Sequence, residues 1–122
     1  MLITGASAGL GAALAREYAA RGWDLVLLAR REERLKALAE TLNAEHGTQS
    51  RVIAADLFSE TAVADLMTNL KGMQIDGLIN NAGYGHPGTF LGSAWEDHRR
   101  FNHLMSVVPV ELTRALPRNV PG

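Results

Sequence analysis

The chain has 122 residues, 47% of them apolar and 20% charged, which suffices for one domain with its own core and is too little for two. A formal net charge of -1 gives no broad basic surface, so neither nucleic acid nor an anionic membrane is an expected partner, and the composition excludes disorder and collagen-like repeats. The absence of cysteine removes thiolate zinc sites, iron–sulfur clusters and disulfide scaffolds, and it is compatible with the cytoplasm, the compartment expected here.

In chain order, short apolar runs alternate with segments of helical period, the pattern of a parallel sheet with helical crossovers. Met1 to Thr4 is a first strand, and Leu10, Ala13, Leu14 and Tyr18 stripe a helix from about Gly9 to Ala20, ended near Gly22. Asp24 to Ala29 (DLVLLA) is a buried second strand, and even its apolar run, Leu25 to Ala29, is far too short to span a membrane. Leu35, Leu38, Ala39 and Leu42 mark a second helix stopping near Gly47, before a third strand at Arg51 to Ala55. Ser59 begins a third helix striped by Val63, Leu66, Met67 and Leu70, and Ile75 to Ile79 is the fourth strand.

Tyr84 to Gly92 (YGHPGTFLG) is a loop by its glycines and proline. Ser93 and Glu96 then have the spacing of a capping box, and Phe101, Leu104, Met105, Val108 and Leu112 turn one apolar face toward a core, with Pro109 kinking or interrupting the helix. The tail from Pro117 to Gly122 is irregular. Trp23, Trp95 and the methionines suit core or interface packing. His98 and His103 are five apart and do not share a helix face, so no metal site is expected.

Chemistry concentrates in Thr4-Gly5-Ala6-Ser7-Ala8-Gly9-Leu10-Gly11, between the first strand and the first helix, where backbone N–H groups and the helix dipole face an anion. Gly5 permits the sharp turn, Gly9 the approach of a pyrophosphate, and Gly11 close packing of helix on strand. The same residues satisfy G-x-S-x-G, the elbow of serine hydrolases with Ser7 as nucleophile. That remote alternative lacks room for an oxyanion loop, because only four residues precede Gly5.

Together with Asn80-Asn81-Ala82-Gly83 (NNAG) after the fourth strand, the turn resembles the short-chain dehydrogenase/reductase family of classical type, whose members carry TGxxxGxG and NNAG at these places. The likeness runs from Leu2 to about Leu116. It implies a Rossmann-like, doubly wound α/β parallel sheet of order 3-2-1-4, a single NAD(P)-binding domain over 1–122, with the cofactor at the carboxyl ends of strands one and four. The implied activity is hydride transfer between a nicotinamide and a small-molecule alcohol or carbonyl substrate. The implied cofactor contacts are Gly5, Ser7, Ala8, Gly9, Leu10 and Gly11, then Arg30 and Arg31, Asp56 and Leu57, and Asn81, Ala82 and Gly83.

In such relatives the residue after strand two selects the cofactor. Arg30 stands there, with Arg31 beside it, and its forked donors suit a 2′-phosphate, so NADP(H) is expected over NAD(H). The alternative for RREER is a solvated helix start. Ala8 departs from the basic residue of many NADP-using relatives. Asp56 resembles the family aspartate that meets the adenine amino group, or else it caps the following turn, while Asn80 ties strands together. Asn102, seven residues after Trp95, falls at the family's catalytic proton-relay position, although the polar run HRRFNH departs from the usual apolar V-N, and an ordinary surface amide is the other reading.

The family's serine and Tyr-x-x-x-Lys are absent: Gly22 and Gly88 stand four residues after Tyr18 and Tyr84. A chain truncated before the fifth strand, its fourth strand an open edge, is therefore favoured over a finished non-catalytic cofactor-binding or regulatory module. A homo-oligomer through the last helix is the remaining expectation.

Overall fold

Leu2 and Ile3 are wholly buried on the first strand, β1 (Leu2–Thr4), and their side chains go to opposite faces of the sheet, as period two requires. In the computed structural model, residues 1–7, 9–83 and 88–116 are described. The expectations for Ala8, Tyr84, the loop from 84 to 87 and the tail from 117 to 122 lie outside them.

Four parallel strands form one sheet in the order β3-β2-β1-β4, as expected. β2 (Val26–Ala29) pairs with β1 in the register Leu2↔Val26, and β3 (Arg51–Ala54) pairs with β2 as Val26↔Arg51. β4 (Leu78–Ile79) pairs with β1 through only two residues, shorter than the expected Ile75 to Ile79. The β3 and β4 side chains are half-buried or exposed, as at the two edges of a sheet.

One face carries α1 (Gly9–Ala20) and α2 (Glu32–His46), whose Leu35 and Leu42 pack with Ile3 and Leu27 of the strands. Each leucine buried there contributes about 2 kcal/mol. Gly47 ends α2 in the left-handed conformation. The expected stripe of α1 is corrected: Leu10 is 67% exposed and the buried positions are Gly11, Ala12, Ala15 and Ala19. At Gly11 the helix lies against the Gly5 backbone and the Asn81 side chain, too close for any side chain, and the buried positions after it are all alanine.

The other face packs α3 (Ala62–Asn69) and the last helices over Leu2, Val26 and Leu28. Thr61, not Ser59, occupies the N-cap of α3. Ser59 instead bonds within the preceding turn, where its hydroxyl accepts from the Thr61 N–H at 3.3 Å. The capping box is also absent from α4 (Trp95–Asn102). Ser93 Oγ donates to Thr89 O at 2.9 Å, and Glu96 is held by Arg99 instead.

The regular α-helix is interrupted ahead of Pro109, as expected. The proline lies in the first turn of α5 (Val108–Ala115), and the π turn (His103–Val107) that joins α4 to α5 stands where its missing N–H would break the regular bonding pattern. The Val108 N–H reaches back to His103 O in the wider spacing. Leu104, Val108, Leu112 and Leu116 are buried, whereas Met105 is 43% exposed and Trp95 is exposed, so neither belongs to the core.

Candidate functional site

At the carboxyl ends of the strands, β1 and β4 are laced together by one buried hydroxyl. Thr4 Oγ1 accepts from the backbone N–H groups of Asn81 and Ala82, each at 2.9 Å, and lies 3.4 Å from Ile79 O as donor. The Asn81 side chain then crosses to the glycine turn, donating from Nδ2 to Gly5 O at 3.1 Å. The expected tie between strands is therefore made by Asn81. Asn80 reaches Thr113 Oγ1 on α5 at 3.2 Å. Thr4→Val keeps the shape and removes the acceptor, leaving two inward N–H groups unpaired; we expect a loss of about 2 kcal/mol, read as a lower urea midpoint with an unchanged slope.

The turn has the geometry that its glycines allow. Gly5 has φ +65°, and its N–H bonds to Leu28 O at 2.8 Å. A Cβ at Gly11 would run into Gly5 O and Asn81 Nδ2, so the close approach is to the turn's own backbone and the Asn81 side chain where packing on a strand was expected. A Cβ at Gly9 would meet nothing within 4 Å, so the backbone there is open to a ligand.

In front of this turn lies a cleft of about 690 Å³. Gly5, Ser7 and Leu10 form one wall and Asn81, Ala82 and Gly83 another, while Arg30, Arg31, Asp56 and Leu57 close the far end. The structure thus gathers ten of the residues singled out above, drawn from the ends of all four strands. Gly9 and Gly11 are not among the lining residues: Gly9 is exposed at the start of α1 and Gly11 is buried within it. Asn102 is exposed and is not among the residues lining the cleft. The α4–α5 side chain nearest the NNAG glycine is Met105, whose sulfur lies 2.8 Å from where a Gly83 Cβ would stand.

Six further residues line the cleft: the strand-end alanines Ala29 and Ala55, Leu104, which was expected only in the core, and Phe58, Asp97 and Arg100, which the sequence reading did not single out. The meeting of α4 with the segment after β3 leaves no local pattern that would have found Phe58, Asp97 and Arg100. Asp56 Oδ1 accepts from the Phe58 N–H at 3.0 Å, so its turn-capping geometry is formed while it also lines the cleft. Arg30 and Arg100 place their guanidinium carbons 5.4 and 4.7 Å from the centre of the Phe58 ring. Arg99 bridges Glu96 at 2.7 Å and Glu60 at 2.9 Å, fastening α4 to the loop after β3. Its hydrogen bond holds the Glu96 carboxyl below the usual carboxylate range, and the two carboxylates raise Arg99 itself. His98 Nε2 sits 2.6 Å from Phe90 O and stacks on its ring, anchoring the loop before α4. Among the described residues no helix is long and apolar enough to cross a membrane.

The family model described as short chain dehydrogenase matches residues 1–120. An 11-beta-hydroxysteroid dehydrogenase of Pinus massoniana is 40% identical over 110 residues, which make up 88% of this chain and 30% of that protein. Among solved structures, a short-chain dehydrogenase from Sphingobium yanoikuyae in complex with NADPH matches with a TM-score of 0.89 and 40% identity, over 94% of this chain and 45% of that one. A bulky-bulky ketone specific alcohol dehydrogenase from Comamonas testosteroni matches with a TM-score of 0.89 and 39% identity, over 94% of this chain and 46% of that one. The chain thus spans less than half the length of each of these three proteins.

Proposed function

The chain belongs to the short chain dehydrogenase family, and on that premise we propose that its cleft binds NADP(H) in preference to NAD(H), in the service of hydride transfer at an alcohol or carbonyl group. The observation that carries this reading is the single cleft in which the glycine turn, the NNAG segment and the Arg30-Arg31 pair face one another. The walls fit a dinucleotide. Open backbone at Gly9 and the N-terminus of α1 suit a pyrophosphate, guanidiniums at the far end suit a 2′-phosphate, and the Asn81–Gly83 wall suits the nicotinamide ribose. The Sphingobium yanoikuyae structure, solved with NADPH, supports the same choice. A bound nicotinamide would supply or accept the hydride.

The chain's own residues bind and orient. Thr4 and Asn81 lock the two sides of the cleft at fixed separation, so the cofactor meets a preorganised surface. Moving the proton in the family's manner takes a tyrosine with a lysine four residues on, and these 122 residues hold no such pair. That observation favours a second reading for the chain alone, binding without turnover, which oxidation of NADPH with a panel of carbonyl compounds would overturn. Asn102 keeps its proposed relay role only if a substrate complex brings it to the cleft. The hydrolase reading of Ser7 gains nothing from the family match.

Titrating the 122-residue chain with NADPH and with NADH, while following nicotinamide fluorescence and particle size, tests the proposal. We expect NADPH to bind at least about tenfold more tightly, in line with the loss of one charge-assisted contact in NADH. Equal affinities would overturn the preference, and no binding of either would overturn the site. Growth in size with concentration would support the self-association proposed through the α4–α5 face, where Trp95, Val107 and Val110 are exposed.

A further inference from the structure

Arg100 enters the cleft from α4, far in sequence from the β2 end that supplies Arg30, yet both guanidiniums sit over the ring of Phe58. Arg99, its neighbour, is engaged by Glu96 and Glu60, and that bridge fixes α4 against the loop bearing Phe58. Among the described residues Arg30, Arg31 and Arg100 form no ion pair within 4 Å; the pairs that exist are made by Arg21, Lys36, His46 and Arg99. The cleft's carboxylates are Asp56, which accepts from the Phe58 N–H through Oδ1, and Asp97, one turn before Arg100. Three guanidiniums against two carboxylates leave the far end positive.

We propose that Arg100 is a specificity-determining residue of this site, a second guanidinium for the 2′-phosphate of NADP(H), held in place by the Phe58 ring that it shares with Arg30. The inference rests on the reading of the cleft as a dinucleotide site and deepens it. Two like charges brought to one ring repel each other, and that repulsion is relieved by an anion between or beside them. A phosphate with two negative charges and three oxygens gives both forks an acceptor, which the neutral hydroxyl of NAD(H) does not. The aromatic ring is a platform for the cations in the meantime, attracting each through its face without neutralising either.

The test uses adenosine 2′,5′-bisphosphate and 5′-AMP, which share the adenosine end and differ in the 2′-phosphate, titrated calorimetrically into the 122-residue chain and its Arg100→Gln and Arg100→Lys variants. The expected result is that Arg100→Gln weakens the bisphosphate about tenfold and leaves 5′-AMP within about twofold, with Arg100→Lys recovering part of the loss. An equal loss for both nucleotides would assign Arg100 a packing role and overturn the proposal, as would no loss for either. Unmodified chain that binds neither nucleotide would overturn the dinucleotide reading itself, so the two failures are distinct. Thermal melts of the variants should coincide with the parent, because Arg100 is exposed and outside the core.

Discussion

Arg30→Asp is expected to shift the ratio of NADPH to NADH affinity by about a hundredfold toward NADH, because two effects act in one direction. The lost fork removes a charge-assisted contact of about 1.5–3 kcal/mol with the 2′-phosphate. The new carboxylate repels that phosphate and offers the ribose hydroxyls of NAD(H) the acceptor they need. Arg30 is exposed at the carboxyl end of β2 and lines the cleft, so the change should leave the fold intact. Fluorescence titration of the variant with both cofactors reads the ratio, and a ratio equal to the parent's removes Arg30 from cofactor selection.

Gly11→Ala should unsettle the fold itself. The added methyl would meet Gly5 O, a backbone atom that cannot rotate aside, and Asn81 Nδ2, whose hydrogen bond to Gly5 O closes the cleft floor. Overpacking against side chains costs about 1–3 kcal/mol, and against backbone the upper end applies. With the strained amide bond added, about 4 kcal/mol is at stake in a domain stabilised by roughly 5–15 kcal/mol. Gly9→Ala separates stability from binding: its methyl meets nothing, and the positive φ costs only about 1–2 kcal/mol. Yet it stands where the pyrophosphate is expected. Denaturation and NADPH titration of both variants check the pair. A Gly11→Ala chain as stable as the parent would mean that the turn gives way.

What the sequence made legible is what local pattern encodes. The order of the sheet follows from apolar runs alternating with helical stripes, and Gly47 announces the end of α2 by its own backbone preference. The turn and the NNAG segment were readable because the two motifs occur together at successive strand ends, where either alone would have had other uses. Illegible features depend on distance in space. The inward face of α1 was misassigned because burial there is decided by closeness to the sheet, which favours Ala12, Ala15 and Ala19 over Leu10. The Ser93–Glu96 spacing was correct for a cap, but Arg99 competes for the carboxylate and Thr89 for the hydroxyl. Arg100 and Phe58 are silent in sequence, since their meeting depends on how α4 crosses the end of β3.

The π turn between α4 and α5 has a geometric consequence for the rod they form. Arg100, Leu104, Val108, Leu112 and Leu116 follow one another at intervals of four, the first two lining the cleft and the last four buried. In an unbroken α-helix such a series winds by about 40° at each step, or about 160° from end to end. The residue taken up by the π turn returns about 100° of that winding. The rod is thereby kept in phase, so that a single edge of it serves the ligand at one end and the sheet at the other. Rewound as regular α-helix without loss of a residue, the same segment would turn Leu112 and Leu116 by about 100° away from the strands that they cover, whereas deleting one residue from 103–107 would keep them in place.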